Sequence, residues 1–409
     1  MAAGMKVQTN TLRQQASLNR ISSKDRACTK CLLDLRDIPS LRFNAAGVCN
    51  VCERFSLTWK AHLNQQSELK QNLPTIIDGI KKAGEKKQYD CVIGVSGGID
   101  SSFLAWKICQ LGLRPLAVHF DNGWNSELAV HNIEKMITTL GIDLYTFVVD
   151  WEEFRDLQKA YLKASVIDIE VPTDHGIYGT LYRAAIENDV PFILGGNNIT
   201  TEGFMPGGWC YHKWDHINLL DIHRQFGTQK LRKYPRFDRR QKKKALRKSI
   251  QLIEILDVIE YSRKHAVSTI SAEFGWRDYG VKHGESIFTK FYQEYLLPKK
   301  FGVDKRKAHL STLIHTGEIS RDEAMEQYKS SATSDQEIEN TKSYVLKKLG
   351  FSESEFQEIM QADPVAHENF EREGSLFYEF RFLLLFRSMW LRFRDFAHIT
   401  PRSHPYEIR

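Results

Sequence analysis

Short apolar runs alternate with amphipathic stretches through the middle of the chain. Cys91 to Val95 is brief and wholly apolar, which suits a strand buried on both faces of a parallel sheet. Pro115 to Phe120, Leu144 to Val149 and Pro191 to Leu194 read as three further strands. Between them the spacing predicts helices over Phe103 to Leu111, Ser126 to Leu140, Trp151 to Ala164 and Ile177 to Asn188. The first two end alike, Leu111-Gly112 and Leu140-Gly141, and glycine is the usual residue just past a helix C-terminus. Successive strand–helix–strand units imply right-handed crossovers and a parallel sheet. In such sheets ligands sit outside the carboxyl ends of the strands. Three loops are predicted to converge there: Ser96 to Ser102, Asp121 to Asn125 and Gly195 to Gly208.

After Leu220 the pattern changes. Helices are predicted near Leu246 to Tyr261 and Ser268 to Phe274, and then over Glu337 to Leu349 and Glu353 to Gln361. Ser320-x-x-Glu323 is a capping box opening another that runs to Ser330. Two segments, Gly275 to Ser286 and Leu297 to His309, mix glycine, aromatics and both charge signs without a helical stripe. Solvated loops can look like that, but the segments are read here as lining a second substrate site. At the other end, Leu57 to Lys87 reads as a helical connector broken at Pro74. The domain reading is a disordered tail at 1–26, a metal module at 27–56, the connector at 57–88, a nucleotide domain at 89–228 and a mostly helical domain at 229–409.

Composition adds a bound on class. The 409 residues are 42% hydrophobic and 26% charged, ordinary for a soluble chain of two or three domains. The most apolar stretch, Leu376 to Phe396, is interrupted by Glu379, Arg381, Arg387, Arg392 and Arg394 and is no membrane span. The first 26 residues lack the apolar centre of a secretory signal, so a cytoplasmic enzyme is expected. The net charge of +6 is uneven: Lys230 to Lys248 alone contributes +10, which leaves the rest at −4. One basic patch stands on an otherwise acidic chain.

Four of the seven cysteines form Cys28-x2-Cys31 and Cys49-x2-Cys52, a spacing that suits a four-thiolate zinc site. Four thiolates leave no open position, so the zinc would be structural. A redox pair or an iron–sulfur cluster are the competing readings. Cys91 and Cys109 fall in predicted core elements.

The stretch Ser96-Gly97-Gly98-Ile99-Asp100-Ser101-Ser102 follows the first strand and opens the first helix. Glycines let backbone approach a ligand, serines add hydroxyls, and a helix N-terminus favours an anion. No lysine follows to make a Walker loop, and only two glycines are present, one short of a dinucleotide fingerprint. The loop resembles the pyrophosphate loop of N-type ATP pyrophosphatases, which cleave ATP to AMP and pyrophosphate. That resemblance implies that Ser96, Gly97, Gly98, Ser101 and Ser102 hold pyrophosphate, that Asp100 helps hold Mg2+, and that Asp121, Gly195 and Asn197 border the nucleotide.

From Cys28 to Gln361 the chain resembles the N-acetyl sugar amidotransferases of bacterial surface-glycan synthesis. The resemblance is carried by the two Cys-x-x-Cys motifs, Ser96 to Ser102, His119 to Trp124, Gly195 to Gly203, Tyr279 to Thr289 and Lys300 to Ser311. It implies that ATP adenylates an acetamido oxygen of a nucleotide sugar and that ammonia then displaces AMP, leaving an acetamidino group. Lys282, Lys305 and Arg306 are candidates for phosphate or sugar-nucleotide contacts. His283, Glu285 and Asp304 are candidates for proton transfer or hydroxyl binding. An N-terminal cysteine nucleophile and a Gly-x-Cys-x-Gly elbow are both missing from this sequence, so a separate glutaminase is the expected ammonia source. Two rivals remain: a tRNA-modifying enzyme of thiolase or lysidine type, supported by the basic run, and a zinc-ribbon binding module on an inactive nucleotide fold.

Overall fold

The computed structural model describes residues 26–280, 284–330 and 333–373. The tail expected at the N-terminus, the apolar stretch after Leu376, Lys282 and His283 lie outside these residues.

A long helix, α1 (Asn50–Gly84), leads into β1 (Cys91–Gly94), α2 (Ile99–Gln110), β2 (Pro115–Asp121), α3 (Glu127–Leu140), β3 (Asp143–Val148), α4 (Trp151–Lys163), α5 (Val171–Glu187), β4 (Phe192–Gly195), the single turn α6 (Ile199–Glu202), α7 (His216–Phe226), α8 (Arg239–Arg247) and β5 (Gln251–Glu254). Then come α9 (Arg263–Phe274), α10 (Ile287–Phe291), a π-helical stretch Tyr292–Phe301, α11 (Lys305–Thr316), α12 (Arg321–Ser330), α13 (Asp335–Leu349) and α14 (Glu353–Gln361). The strands form one sheet, all parallel, in the order β3-β2-β1-β4-β5. The order reverses at β1, which pairs with β2 on one side and β4 on the other, and the carboxyl ends at such a reversal are where open α/β sheets bind ligands. Ile93 of β1 packs with Phe103, Leu104 and Ile108 of α2 and with Ile270 of α9 on one face. Val92 packs with Leu181, Ala184 and Ala185 of α5 on the other. The sheet is therefore covered on both sides, as its short apolar strands require.

Local chemistry sets the helix ends. Ser126 and Asp150 cap α3 and α4 by accepting from Ala129 N and Glu153 N, and Gly141 closes α3 at φ 63°.

The structure corrects four readings. Residues 251–254 are not helical: they form β5, so the sheet takes a strand from beyond residue 228, where the sequence reading ended the domain. The helix α1 begins at the second cysteine pair and runs through Pro74 without ending there, because the ring is exposed and water can satisfy the freed carbonyl. The helix after the loop begins at Ile99, which places Asp100, Ser101 and Ser102 in its first turn. Residues 305–316 are helix α11, not a loop.

The cysteine module and the C-terminal helices pack as one body. Lys307 Nζ of α11 reaches Asp34 at 3.2 Å and Asp37 at 2.7 Å. Ser311 Oγ accepts from Leu32 N, and Arg321 donates to the carbonyls of Cys28 and Cys31. Among the described residues no helix is long and apolar enough to cross a membrane.

Candidate functional site

The loop at the end of β1 is built by its own hydroxyls. Gly98 N donates to Ser96 Oγ, Ser96 N donates to Ser101 Oγ, and Ser101 Oγ donates to the Gly98 carbonyl at 3.1 Å. Gly97 sits at φ +82°, and a Cβ there would lie 2.7 Å from the Ala129 carbonyl oxygen, so only glycine fits. Gly98 is the N-cap of α2 and no side chain caps it. The first N–H groups of the helix therefore face the loop, ready for an anion. Asp100 points its carboxylate at the Tyr261 hydroxyl, which donates to it. Ser102, also expected at the pyrophosphate, is fully buried, and its Oγ has no partner among the described residues.

A second wall comes from far along the chain. Trp276 Nε1 and Tyr279 OH both donate to the Gly97 carbonyl, at 2.8 and 2.6 Å. Asn132 Nδ2 donates to Tyr279 OH and to the Arg277 carbonyl, fixing that segment to α3. Ser126 N donates to the Glu285 carbonyl, and the Glu285 carboxylate stands 3.4 Å from where a Gly98 Cβ would be. The described part of Gly275 to Ser286, read from the sequence as lining a second substrate site, thus frames the phosphate loop.

The other expected segment divides. Asp304 caps α11 and pairs with Arg306 at 2.6 Å, and the Arg306 guanidinium lies over the Tyr328 ring. These contacts belong to the helical region rather than to the loop, because an N-cap carboxylate beside a basic first turn is satisfied locally. Lys305 is 8% exposed, with its ammonium over the Tyr292 ring.

On the β2 side, Asp121 Oδ1 accepts from Gly123 N and Asn125 Nδ2, a turn role. His119 bridges that turn to the loop strand, with Nδ1 2.8 Å from the Val95 carbonyl and Nε2 2.9 Å from Asn125 Nδ2. On the β4 side, Gly196 backs onto Asp100, whose carbonyl would lie 3.8 Å from a Cβ on that glycine. Asn197 Nδ2 donates to Glu254 Oε1 at 3.1 Å. Glu254 Oε2 is buried without a partner among the described residues, and a Cβ on Gly195 would strike it at 1.9 Å. Burial pushes the Glu254 acid up to about 8, and burial likewise holds Asp257 at about 6, although Ile199 N donates to it. The sequence pointed to none of Trp276, Tyr261 or Glu254 individually, since no local spacing singles them out.

The four cysteines meet. Cys28 and Cys52 sulfurs are 3.7 Å apart and those of Cys31 and Cys49 3.8 Å, all four are buried, and all lie within 4.8 Å of one another. A tetrahedral ion with metal–sulfur bonds of about 2.3 Å sets its sulfurs about 3.8 Å apart. The cage therefore fits one ion. It is too wide for a disulfide, and a four-iron cluster would spread its cysteines farther. His315 of α11 adds a group the spacing did not reveal: its Nε2 is 3.1 Å from Cys52 Sγ, and its ring stacks on Phe204.

The basic run is partly neutralised. Lys233 pairs with Asp150, Lys242 with Glu373 and Lys248 with Asp189, while Arg239, Arg240, Lys243 and Lys244 of α8 are exposed.

A parallel sheet with a glycine–serine loop at its switch point, a helix start behind that loop and a four-thiol cage that could hold one metal ion define a phosphate-loop α/β protein. Its C-terminal side can be placed more closely. Residues 285–384 match the family described as "LPS biosynthesis protein WbpG-like, C-terminal domain". The match supports the family resemblance read from the sequence. No curated protein matches the chain. Among solved structures it is similar to NMN synthetase from Francisella tularensis, at 15% identity and TM-score 0.33, over 62% of this chain and 93% of that one. It is also similar to NH3-dependent NAD synthetase from Campylobacter jejuni, at 15% identity and TM-score 0.26, over 51% and 93%. A third is the U34-tRNA thiolase NcsA from Methanococcus maripaludis with its [4Fe-4S] cluster, at 13% identity and TM-score 0.28, over 72% and 87%. Likenesses at these scores carry no functional argument.

Proposed function

We propose that this chain is an ATP-dependent amidotransferase that converts an acetamido group of a nucleotide-activated sugar to an acetamidino group during lipopolysaccharide or related surface-glycan synthesis. One observation carries the reading. Glu285, the first residue of the WbpG-like domain match, stands against Gly98 of the phosphate loop. The domain tied by name to LPS biosynthesis thus meets the loop suited to cleaving ATP.

An amide carbonyl is a poor electrophile. ATP adenylates its oxygen, pyrophosphate leaves, and ammonia displaces AMP. In this reading Ser96, Gly97, Gly98, Ser101 and the first N–H groups of α2 hold the pyrophosphate. Magnesium would accompany ATP and neutralise phosphate charge, and Asp100 would help hold it. Asp121, Gly195 and Asn197 border the nucleotide. Glu285, with Lys282 and His283 beside it in sequence, faces the acetamido sugar. Trp276 and Tyr279 keep water out and fix the loop. Cys28, Cys31, Cys49 and Cys52 hold structural Zn2+. A separate glutaminase supplies ammonia.

The exposed cations of α8 favour one other reading, a tRNA-modifying enzyme. Pyrophosphate release separates the two. It should be stimulated by an acetamido sugar nucleotide and not by tRNA; the reverse would hand the protein to the rival.

A further inference from the structure

Between α4 and α5 lies a buried ionic group that the loop chemistry leaves unused. Asp168 is fully buried, paired with Lys213 Nζ at 2.7 Å and accepting from Tyr211 N at 2.7 Å. Lys213 also pairs with Asp174 at 3.0 Å. Glu170 is the third carboxyl and is 7% exposed. Its Oε2 accepts from Thr289 Oγ1 at 3.2 Å, whereas its Oε1 is buried with no partner among the described residues. Leaving a buried carboxyl oxygen unpaired is costly, so Oε1 is the atom of this group with hydrogen-bonding capacity to spare. Thr289 belongs to α10 and its N–H donates to Ser286 Oγ, the residue next to Glu285. One turn of helix therefore joins the carboxylate beside Gly98 to the hydroxyl that holds Glu170.

We propose that Glu170 is the proton acceptor of the nitrogen-transfer step; this rests on the amidotransferase reading above. Ammonia adds to the adenylated imidate carbon, and the new C–N bond leaves that nitrogen with a positive charge. One proton must leave before the nitrogen lone pair can form the C=N bond and expel AMP, which departs with the electron pair of the C–O bond. Glu170 Oε1 takes that proton, and the product is the amidinium ion. Burial, Asp174 and Asp168 hold the Glu170 acid up to about 7, against the opposing pull of Lys213 and Lys305. Cys210 and Tyr292, which interact with the same buried ionic group, are both pushed up by burial and stay protonated near neutrality. An acceptor balanced near neutral pH suits general-base work.

The test uses the full chain with ATP, ammonium and acetamido sugar nucleotides. Sugar-dependent exchange of labelled pyrophosphate into ATP reports adenylation, and the amidine product reports nitrogen transfer. Glu170→Gln should keep the exchange but slow product formation by about 10²-fold or more, and the pH limb near neutrality, corrected for free ammonia, should vanish. Glu170→Asp should restore part of both. Thr289→Val removes a donor to the carboxylate and should move the limb to higher pH. Wild-type product formation in Glu170→Gln, or exchange and product lost together in all three variants, would overturn the assignment. If the native chain shows no sugar-dependent exchange at all, the amidotransferase reading falls first, and the role of Glu170 falls with it.

Discussion

The indole Nε1 of Trp276 donates to the Gly97 carbonyl oxygen at 2.8 Å, a bond between residues 179 positions apart. Trp276 is 3% exposed, so this bond is shielded from water and fixes the peptide that turns the phosphate loop. Trp276→Phe removes the N–H and leaves Tyr279 as the remaining side-chain donor among the described residues. Losing such a bond costs about 1 kcal/mol, and a loosened loop should lower kcat/KM for AMP formation by roughly tenfold. Steady-state AMP release beside a thermal melt checks this. Unchanged release in a folded variant would mean the loop is held without the indole.

Asp100→Ala should abolish ATP cleavage to AMP. The fold should survive with a stability loss of about 1–3 kcal/mol, because the mostly buried Tyr261 hydroxyl loses its acceptor. Chromatographic detection of AMP, with circular dichroism of the same sample, reads both effects. A folded variant that still makes AMP contradicts the placement of the magnesium carboxylate.

The thiol cage should bind one zinc ion per chain. Structural zinc contributes on the order of 10 kcal/mol in small peptides, so Cys52→Ser should unfold at least the N-terminal module. His315→Ala should keep zinc but release it faster to a chelator, since the ring no longer donates to or packs beside Cys52. Elemental analysis showing iron, or no metal, would refute the cage assignment.

Glu254 gives a pH signature. Its folded acid is raised from 4.5 to about 8, so the folded state keeps a proton that the unfolded chain has lost. Stability from this group is full below about pH 4.5 and is lost as pH rises through 8, a change on the order of a few kcal/mol. Glu254→Gln keeps the shape without the charge. Its melting temperature should exceed the native value at pH 8.5 and converge with it near pH 5. A gap of equal size at both values would show that the difference is packing rather than ionisation.

Sequence reasoning reached what is encoded locally. The phosphate loop and the paired cysteines depend on residues a few positions apart, and both stand where expected. It failed at β5, where Gln251, Glu254 and Asp257 recur every third residue and mimic a helical polar face. Parallel pairing of residues 251–254 with β4 overrides that period. It also failed over residues 305–316, where a charged stretch looked like a loop but is helix α11, with Asp304 its cap and Arg306 paired to that cap. Trp276, Tyr279 and His315 act across long separations, which no single-sequence spacing records.

The central claim is that this loop activates an acetamido carbonyl for attack by ammonia. Its most direct test is mass spectrometry of acetamido sugar nucleotides after incubation with the purified chain, ATP and ammonium. Exchange of the acetyl oxygen for nitrogen lowers the mass by about one unit and leaves a basic amidine, with one AMP formed per product. That product should form with ammonium alone, more readily at high pH where neutral ammonia is abundant, and from glutamine only when a glutaminase is added. No mass change in any acetamido sugar nucleotide, together with AMP release that depends on tRNA, would contradict the account.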